Sequence, residues 1–176
     1  MNAKEIADLI DSLQATYAAI STALLLLNLD ETHQLLEKKG FDPGTTINIS
    51  RMDNTQYTGI KLWDSLHLVR GNQSFNLNYL GSIFMTNLSW IGYELNQNRY
   101  FDKTPELEFF RHLRNGVSHG NKFNLLNGEP KRPAKFNAFE ITPALHGQPV
   151  LFEFISMGDL FDLFDCIKFH LRTLPL

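Results

Sequence analysis

Leu77-Asn78-Tyr79-Leu80-Gly81-Ser82-Ile83-Phe84-Met85-Thr86-Asn87-Leu88-Ser89-Trp90-Ile91-Gly92-Tyr93-Glu94-Leu95 carries the strongest periodicity in the chain. Leu77, Leu80, Phe84, Leu88, Ile91 and Leu95 recur at steps of three and four, the spacing that lines one face of an α-helix. A helix with so regular an apolar stripe is expected at the centre of a helical bundle. Working outward toward the N-terminus, Ile6, Leu9, Ile10, Leu13, Tyr17, Ile20, Leu24 and Leu27 keep the same step and predict one long helix. Gly40, Pro43 and Gly44 stop a short helix carrying Leu35 and Leu36. The polar stretch from there to Asn54 reads as a connection. Asn54 then suits the cap of a helix reaching about Val69, with Leu62, Leu66 and Val69 inward and Trp63 at its edge.

Toward the C-terminus, Thr104-Pro105-Glu106 is a helix start: a cap, a proline where no amide is needed, and an acid at the positive end of the dipole. Leu107, Phe110, Leu113 and Val117 form the apolar face of that helix. Phe136 to Ile141 and Val150 to Phe154 alternate like two short strands, with Thr142 to Pro149 turning between them. Ser156, with Asp159 three residues on, caps a final helix that points Leu160, Leu163, Phe164, Ile167 and Leu171 inward. The fold expected is mainly α: an antiparallel bundle of four to five helices in a single domain over 1–176, with a short β-hairpin insert at about 123–155.

At 176 residues and 43% hydrophobic content the chain can bury a core without staples or metal. Its net charge of −3 excludes a protein whose whole surface grips nucleic acid. Cys166, on the apolar face of the last helix, reads as a small buried hydrophobe in a reducing compartment. The N-terminal segment lacks the basic start of an export signal, and the Leu24–Leu27 run is far short of the roughly 20 apolar residues that span a bilayer. A cytoplasmic protein with no membrane partner is expected.

Chemistry concentrates in Arg114-Asn115-Gly116-Val117-Ser118-His119-Gly120. A guanidinium can hold a phosphate through parallel hydrogen bonds, and an imidazole exchanges protons near neutral pH, so Arg114 and His119 suit phosphodiester cleavage. Residues five apart on a regular helix differ by about 140° in azimuth. Either Asn115-Gly116 distorts the helix, or the long arginine wraps around, or a two-fold copy of the chain brings two Arg/His sets together. A plainer role also fits: late in a helix, Arg and His offset the dipole and satisfy carbonyls, and Gly120 reads as the glycine after the cap.

Arg111, His112, Lys122, Lys131, Arg132 and Lys135 concentrate positive charge nearby. With Phe123 and Phe136 they are candidates for binding and stacking single-stranded RNA, Arg111 and Lys122 foremost, against the alternative of a solvated face. His112 and His119 share a helix face, but two nitrogens without a third ligand do not make a zinc site, so no metal is assigned. Asp159, Asp162 and Asp165 read as the wet side of the last helix, His146 as a turn residue, and Ser118 as no partner for its neighbour His119, since adjacent helical side chains diverge. No phosphate loop or nucleotide fingerprint is present, and no cofactor is expected.

The helix ending in Arg114-Asn115 and Ser118-His119-Gly120, followed by Lys122-Phe123-Asn124, Arg132-Pro133, Glu140-Ile141-Thr142-Pro143 and Gly158-Asp159-Leu160, resembles a prokaryotic subgroup of the HEPN superfamily. The resemblance is specific from about Leu107 to Phe169 and only architectural before that. It implies a metal-independent endoribonuclease, active as a homodimer on RNA, of the kind found in toxin–antitoxin and phage-defence systems with an antitoxin protein as possible partner. In that chemistry His119 would move the proton of the ribose 2′-hydroxyl or of the leaving oxygen, Arg114 would neutralise phosphate charge, and Asn115 would orient the imidazole or a phosphate oxygen. The alternative is a catalytically silent dimeric scaffold or partner- or RNA-binding module of the same fold.

Overall fold

A computed structural model describes residues 1–53, 56–126 and 129–174. The chain is mainly helical. Its elements are α1 (Ala3–Leu27), α2 (Asp30–Lys38), β1 (Thr46–Ser50), β2 (Gln56–Lys61), α3 (Leu62–Val69), α4 (Gln73–Gln97), α5 (Pro105–Ser118), β3 (Lys135–Phe136), β4 (Phe139–Glu140), a short 3-10 turn (Pro143–Leu145) and α6 (Met157–Thr173). They form two compact units, one of residues 1–16 and 81–176, the other of residues 17–80.

The first unit holds the larger core. Ile6, Ala7 and Ile10 of α1 are buried, as are the stripe Phe84, Leu88, Ile91 and Leu95 of α4 and the faces of α5 (Leu107, Phe110, Leu113, Val117) and of α6 (Leu160, Leu163, Phe164, Ile167, Leu171). Side-chain contacts fix the directions. Gln14 meets Asp165 while Asp8 and Asp11 meet Arg172, so α1 and α6 run antiparallel. Ser89 meets Ser118 and Gly92 meets Arg114, so α4 and α5 do too. Asp11 lies between Lys168 and Arg172, whose hydrogen bonds hold its carboxyl below the usual range against the opposing effect of burial. The α6 cap forms as its residues predict: Ser156 Oγ accepts from the Asp159 amide, and Asp159 returns a bond from the Ser156 amide at 3.0 Å.

The insert departs from expectation. β3 and β4 do pair antiparallel, Lys135 with Glu140 and Phe136 with Phe139, turning at Asn137 (φ 50°). Val150 to Phe154, however, is no strand; Phe152 has a positive φ of 75°, and the segment makes one isolated bridge, Leu151 to Ile155, with another, Lys122 to Pro149, just before it. Burial does not alternate there: Val150 and Leu151 both pack inward while Phe152 is turned out to 51% exposure. Phe109 of α5 sets its ring among Phe136, Phe139 and Phe154, tilted to each, at centroid distances of 6.2, 6.4 and 6.1 Å, which joins the insert to the helix.

In the second unit the stretch read as a connection contains β1, paired antiparallel with β2 from Thr46–Lys61 to Ser50–Gln56. The helix before Val69 accordingly begins at Leu62; its expected cap, Asn54, lies outside the described residues. Trp63 is buried rather than marginal, its indole N–H donating to the Phe41 carbonyl at 3.1 Å. Leu77 of α4, expected inward, is 49% exposed. By length and composition α1 could cross a membrane, with only 6% of its most apolar window buried.

Candidate active site

Helix α5 starts at Pro105 with Thr104 as its cap residue; the Thr104 side chain makes no capping bond, and its own amide is instead tied to Asp102 Oδ1 at 2.9 Å. The helix is buried on two sides. Phe110, Leu113 and Val117 face the other helices, while Phe109, His112 and Gly116 face the insert. Between them runs a strip of partly open residues, Arg111, Arg114, Asn115 and Ser118.

The end of α5 is set by the segment that follows. The helix stays regular through Ser118, and the His119 amide donates to the carbonyls of Asn115 and Gly116, each at 3.1 Å. Gly120 (φ 76°) and Asn121 (φ 63°) then reverse the chain, a pair of left-handed conformations suited to glycine and tolerated by asparagine. Asn121 works twice: its Oδ1 accepts from the Leu151 amide at 2.8 Å and its Nδ2 donates to the Leu151 carbonyl at 3.3 Å. That clasp lays Val150 on Gly116, where a Cβ would stand 2.5 Å from Val150 Cγ2. Gly116 is therefore a packing position for the insert, and Asn115-Gly116 does not bend the helix.

Nor does the arginine wrap back to its own histidine. Arg114 Nη1 donates to Asn115 Oδ1 at 3.1 Å, and its aliphatic stem and Nε lie across Gly92 of α4. The carboxamide oxygen of Asn115 thus holds the guanidinium, not the imidazole. His119 is exposed, and its ring makes no hydrogen bond or ion pair among the described residues. Neither side chain bonds a terminal carbonyl of α5, so of the plainer role only the offset of the helix dipole is left to them. Ser118 turns to Ser89 of α4, hydroxyl to hydroxyl at 3.4 Å.

Of the surrounding cations, Arg111 is committed elsewhere. Its Nε and Nη2 donate to Glu108 Oε2 at 3.1 and 2.9 Å, and Nη1 lies 3.6 Å from Glu129. Glu108 is only 5% exposed and also meets Arg132 at 3.5 Å, so this network ties residues 129–132 to α5. Lys122 is exposed, and its ammonium has no partner among the described residues. Phe123 and Phe136, considered for stacking, are core residues at 1% and 7% exposure and present no face to a base. His146 accepts the Leu125 amide on Nδ1 at 3.1 Å and fixes the loop it turns in.

His112 is sealed in the interior. Burial, then the neighbouring Arg111, pushes its pKa below the ordinary histidine value, more than Glu129 and Glu108 raise it. Since a guanidinium only donates, the 3.0 Å contact with Arg111 Nη2 makes His112 Nε2 an acceptor and puts the proton on Nδ1, which is buried without a partner. His112 therefore offers nothing to a ligand, and no group of three or more His, Cys, Asp or Glu side chains is gathered for a metal among the described residues.

No family model, curated protein or solved structure matches this chain. The site rests on its own geometry. Two of its parts escaped the sequence reading: Asn121, whose signal was a Gly-Asn pair directly after a helix end, and Gly92, whose signal was a helix-interior glycine beside the apolar stripe.

Proposed function

We propose that this protein is a metal-independent endoribonuclease of the HEPN type, working as a cytoplasmic homodimer. The observation that carries the reading is that the polar atoms of Arg114 and His119, at one end of one helix, have no hydrogen-bond or ion-pair partner among the described residues beyond the Arg114–Asn115 bond. Cations that merely hold the fold, such as Arg111, have their donors consumed. In the reaction, the His119 imidazole takes the ribose 2′-hydroxyl proton as that oxygen attacks phosphorus. The bond to the leaving 5′-oxygen breaks, that oxygen takes up a proton, and a 2′,3′-cyclic phosphate remains. Arg114, steadied by Asn115, neutralises charge on the non-bridging oxygens, and Lys122 supplies a further positive charge near the strand.

The dimer addresses the divergence of the two groups. With α5 regular to Ser118 and Arg114 drawn onto Gly92 of α4, no hydrogen bond joins guanidinium and imidazole within one chain; a two-fold copy can place the arginine of one protomer beside the histidine of its partner. An accompanying antitoxin would act by covering this face. The partner-binding alternative draws on exposed apolar side chains, Leu25 and Leu26 on α1 and Leu77 and Tyr79 on α4.

Incubation of single-stranded RNA in the presence of a chelator separates the two readings. Cleavage leaving 2′,3′-cyclic phosphate ends is expected, with His119→Ala and Arg114→Ala each slowing it by roughly 10²–10⁴-fold while thermal melting is unchanged. Wild-type rates in both variants would reject the assignment.

A further inference from the structure

We propose that Gly92 of α4 is a positioning residue for the cleavage reaction, the seat that decides where the Arg114 guanidinium lies; this rests on the endoribonuclease reading. A Cβ at position 92 would stand 2.7 Å from Arg114 Cγ, 2.9 Å from Nε and 3.2 Å from Cδ. All three nearest atoms belong to that one side chain, so the space a methyl group would take is the space the arginine fills. A glycine inside a helix weakens it, and at Gly92 the compensating gain is this close passage of an arginine over the α4 backbone.

The seat acts with two other contacts. Asn115 Oδ1 takes Nη1 at 3.1 Å, and the Ser89–Ser118 contact at 3.4 Å, one turn back along α4, registers the end of α5 against it. Held along its stem by Gly92 and at one nitrogen by Asn115, the guanidinium keeps its other N–H groups for a phosphate. Any side chain at position 92 lifts the stem off α4 and moves the guanidinium by about the width of a methyl group, a displacement that costs phosphoryl chemistry on the order of a hundredfold. Because arginine is flexible and half-exposed here, it can swing into solvent, so folding is spared.

The test is a double-mutant cycle with a reporter independent of turnover. Gly92→Ala should keep or raise the melting temperature, shift the Arg114 Nε–H resonance in heteronuclear NMR, and cut cleavage of a single-stranded RNA oligonucleotide about a hundredfold. In an Arg114→Ala background the same change should alter cleavage less than about twofold. An unmoved Arg114 resonance, or an equal loss in both backgrounds, overturns the proposal. Should Gly92→Ala alone fail to fold, the Gly92→Ala/Arg114→Ala pair, free of the clash, must fold; if it does not, the seat is not what position 92 provides. If the wild type cleaves no RNA, the endoribonuclease reading falls, and the resonance by itself still decides whether Gly92 seats the arginine.

Discussion

Two histidines on one helix have opposite fates, and burial is what separates them. His119 stands past the last turn of α5 with its ring in solvent, whereas His112 is 1% exposed and pinned as an acceptor to Arg111. A histidine whose folded pKa lies below its unfolded value resists protonation in the native state while the unfolded chain accepts it. Stability is therefore intact above the unfolded value of 6.5 and declines as pH falls below it toward the lower folded value, by at most about 1.4 kcal/mol per pH unit. His112→Gln keeps an acceptor for Arg111 and does not titrate. Urea unfolding followed from neutral into mildly acidic pH should show the wild type losing stability more steeply than this variant; parallel curves would mean that His112 is not the group responsible.

At the scale of elements, regular structure follows whichever constraint is strongest locally. In α6 the reciprocal Ser156–Asp159 bonds satisfy amides that the helix start leaves free, so Ser156→Ala should cost about 1 kcal/mol in chemical denaturation, with no effect on RNA cleavage. A loss near zero would show the cap to be redundant with the packing of Leu160. Three-to-four spacing made α4, α5 and α6 legible, joined by cap residues at the starts of α5 and α6, because both signals are local. β1 went unread although Thr46-Ile47-Asn48-Ile49-Ser50 alternates polar and apolar residues, because five residues among glycine, proline and polar neighbours are a weak signal and the partner strand β2 lies beyond a connection. Val150 to Phe154 misled for the converse reason, its path being set not by strand pairing but by Gly116 and Asn121, some 30 residues away in sequence, through the Val150 contact and the Asn121–Leu151 bonds. Of the site, Arg114 and His119 could be picked out by residue type, but the seat on α4 is a tertiary contact with no local signature beyond an interior glycine.

For the whole molecule, the arrangement of Arg114 and His119 makes a prediction about stoichiometry. If each cleavage centre joins Arg114 of one protomer to His119 of its partner, Arg114→Ala and His119→Ala homodimers are both inactive, each lacking one half of every centre. A heterodimer of the two variants has one centre with both residues intact and one with neither. Random re-association of an equal mixture makes about half of the dimers mixed, each with half its centres restored, so about one quarter of wild-type activity should return. Exposed Trp90 and Tyr93 on the same helix as Gly92 offer apolar area for such an association, and burying them should shift the tryptophan emission to shorter wavelength as protein concentration rises. Recovery after co-refolding, measured by release of cyclic-phosphate ends, identifies a shared centre. Two active-site variants that remain as inactive together as apart, in a sample shown to contain mixed dimers, would place each arginine with its own histidine and confine the chemistry to a single chain.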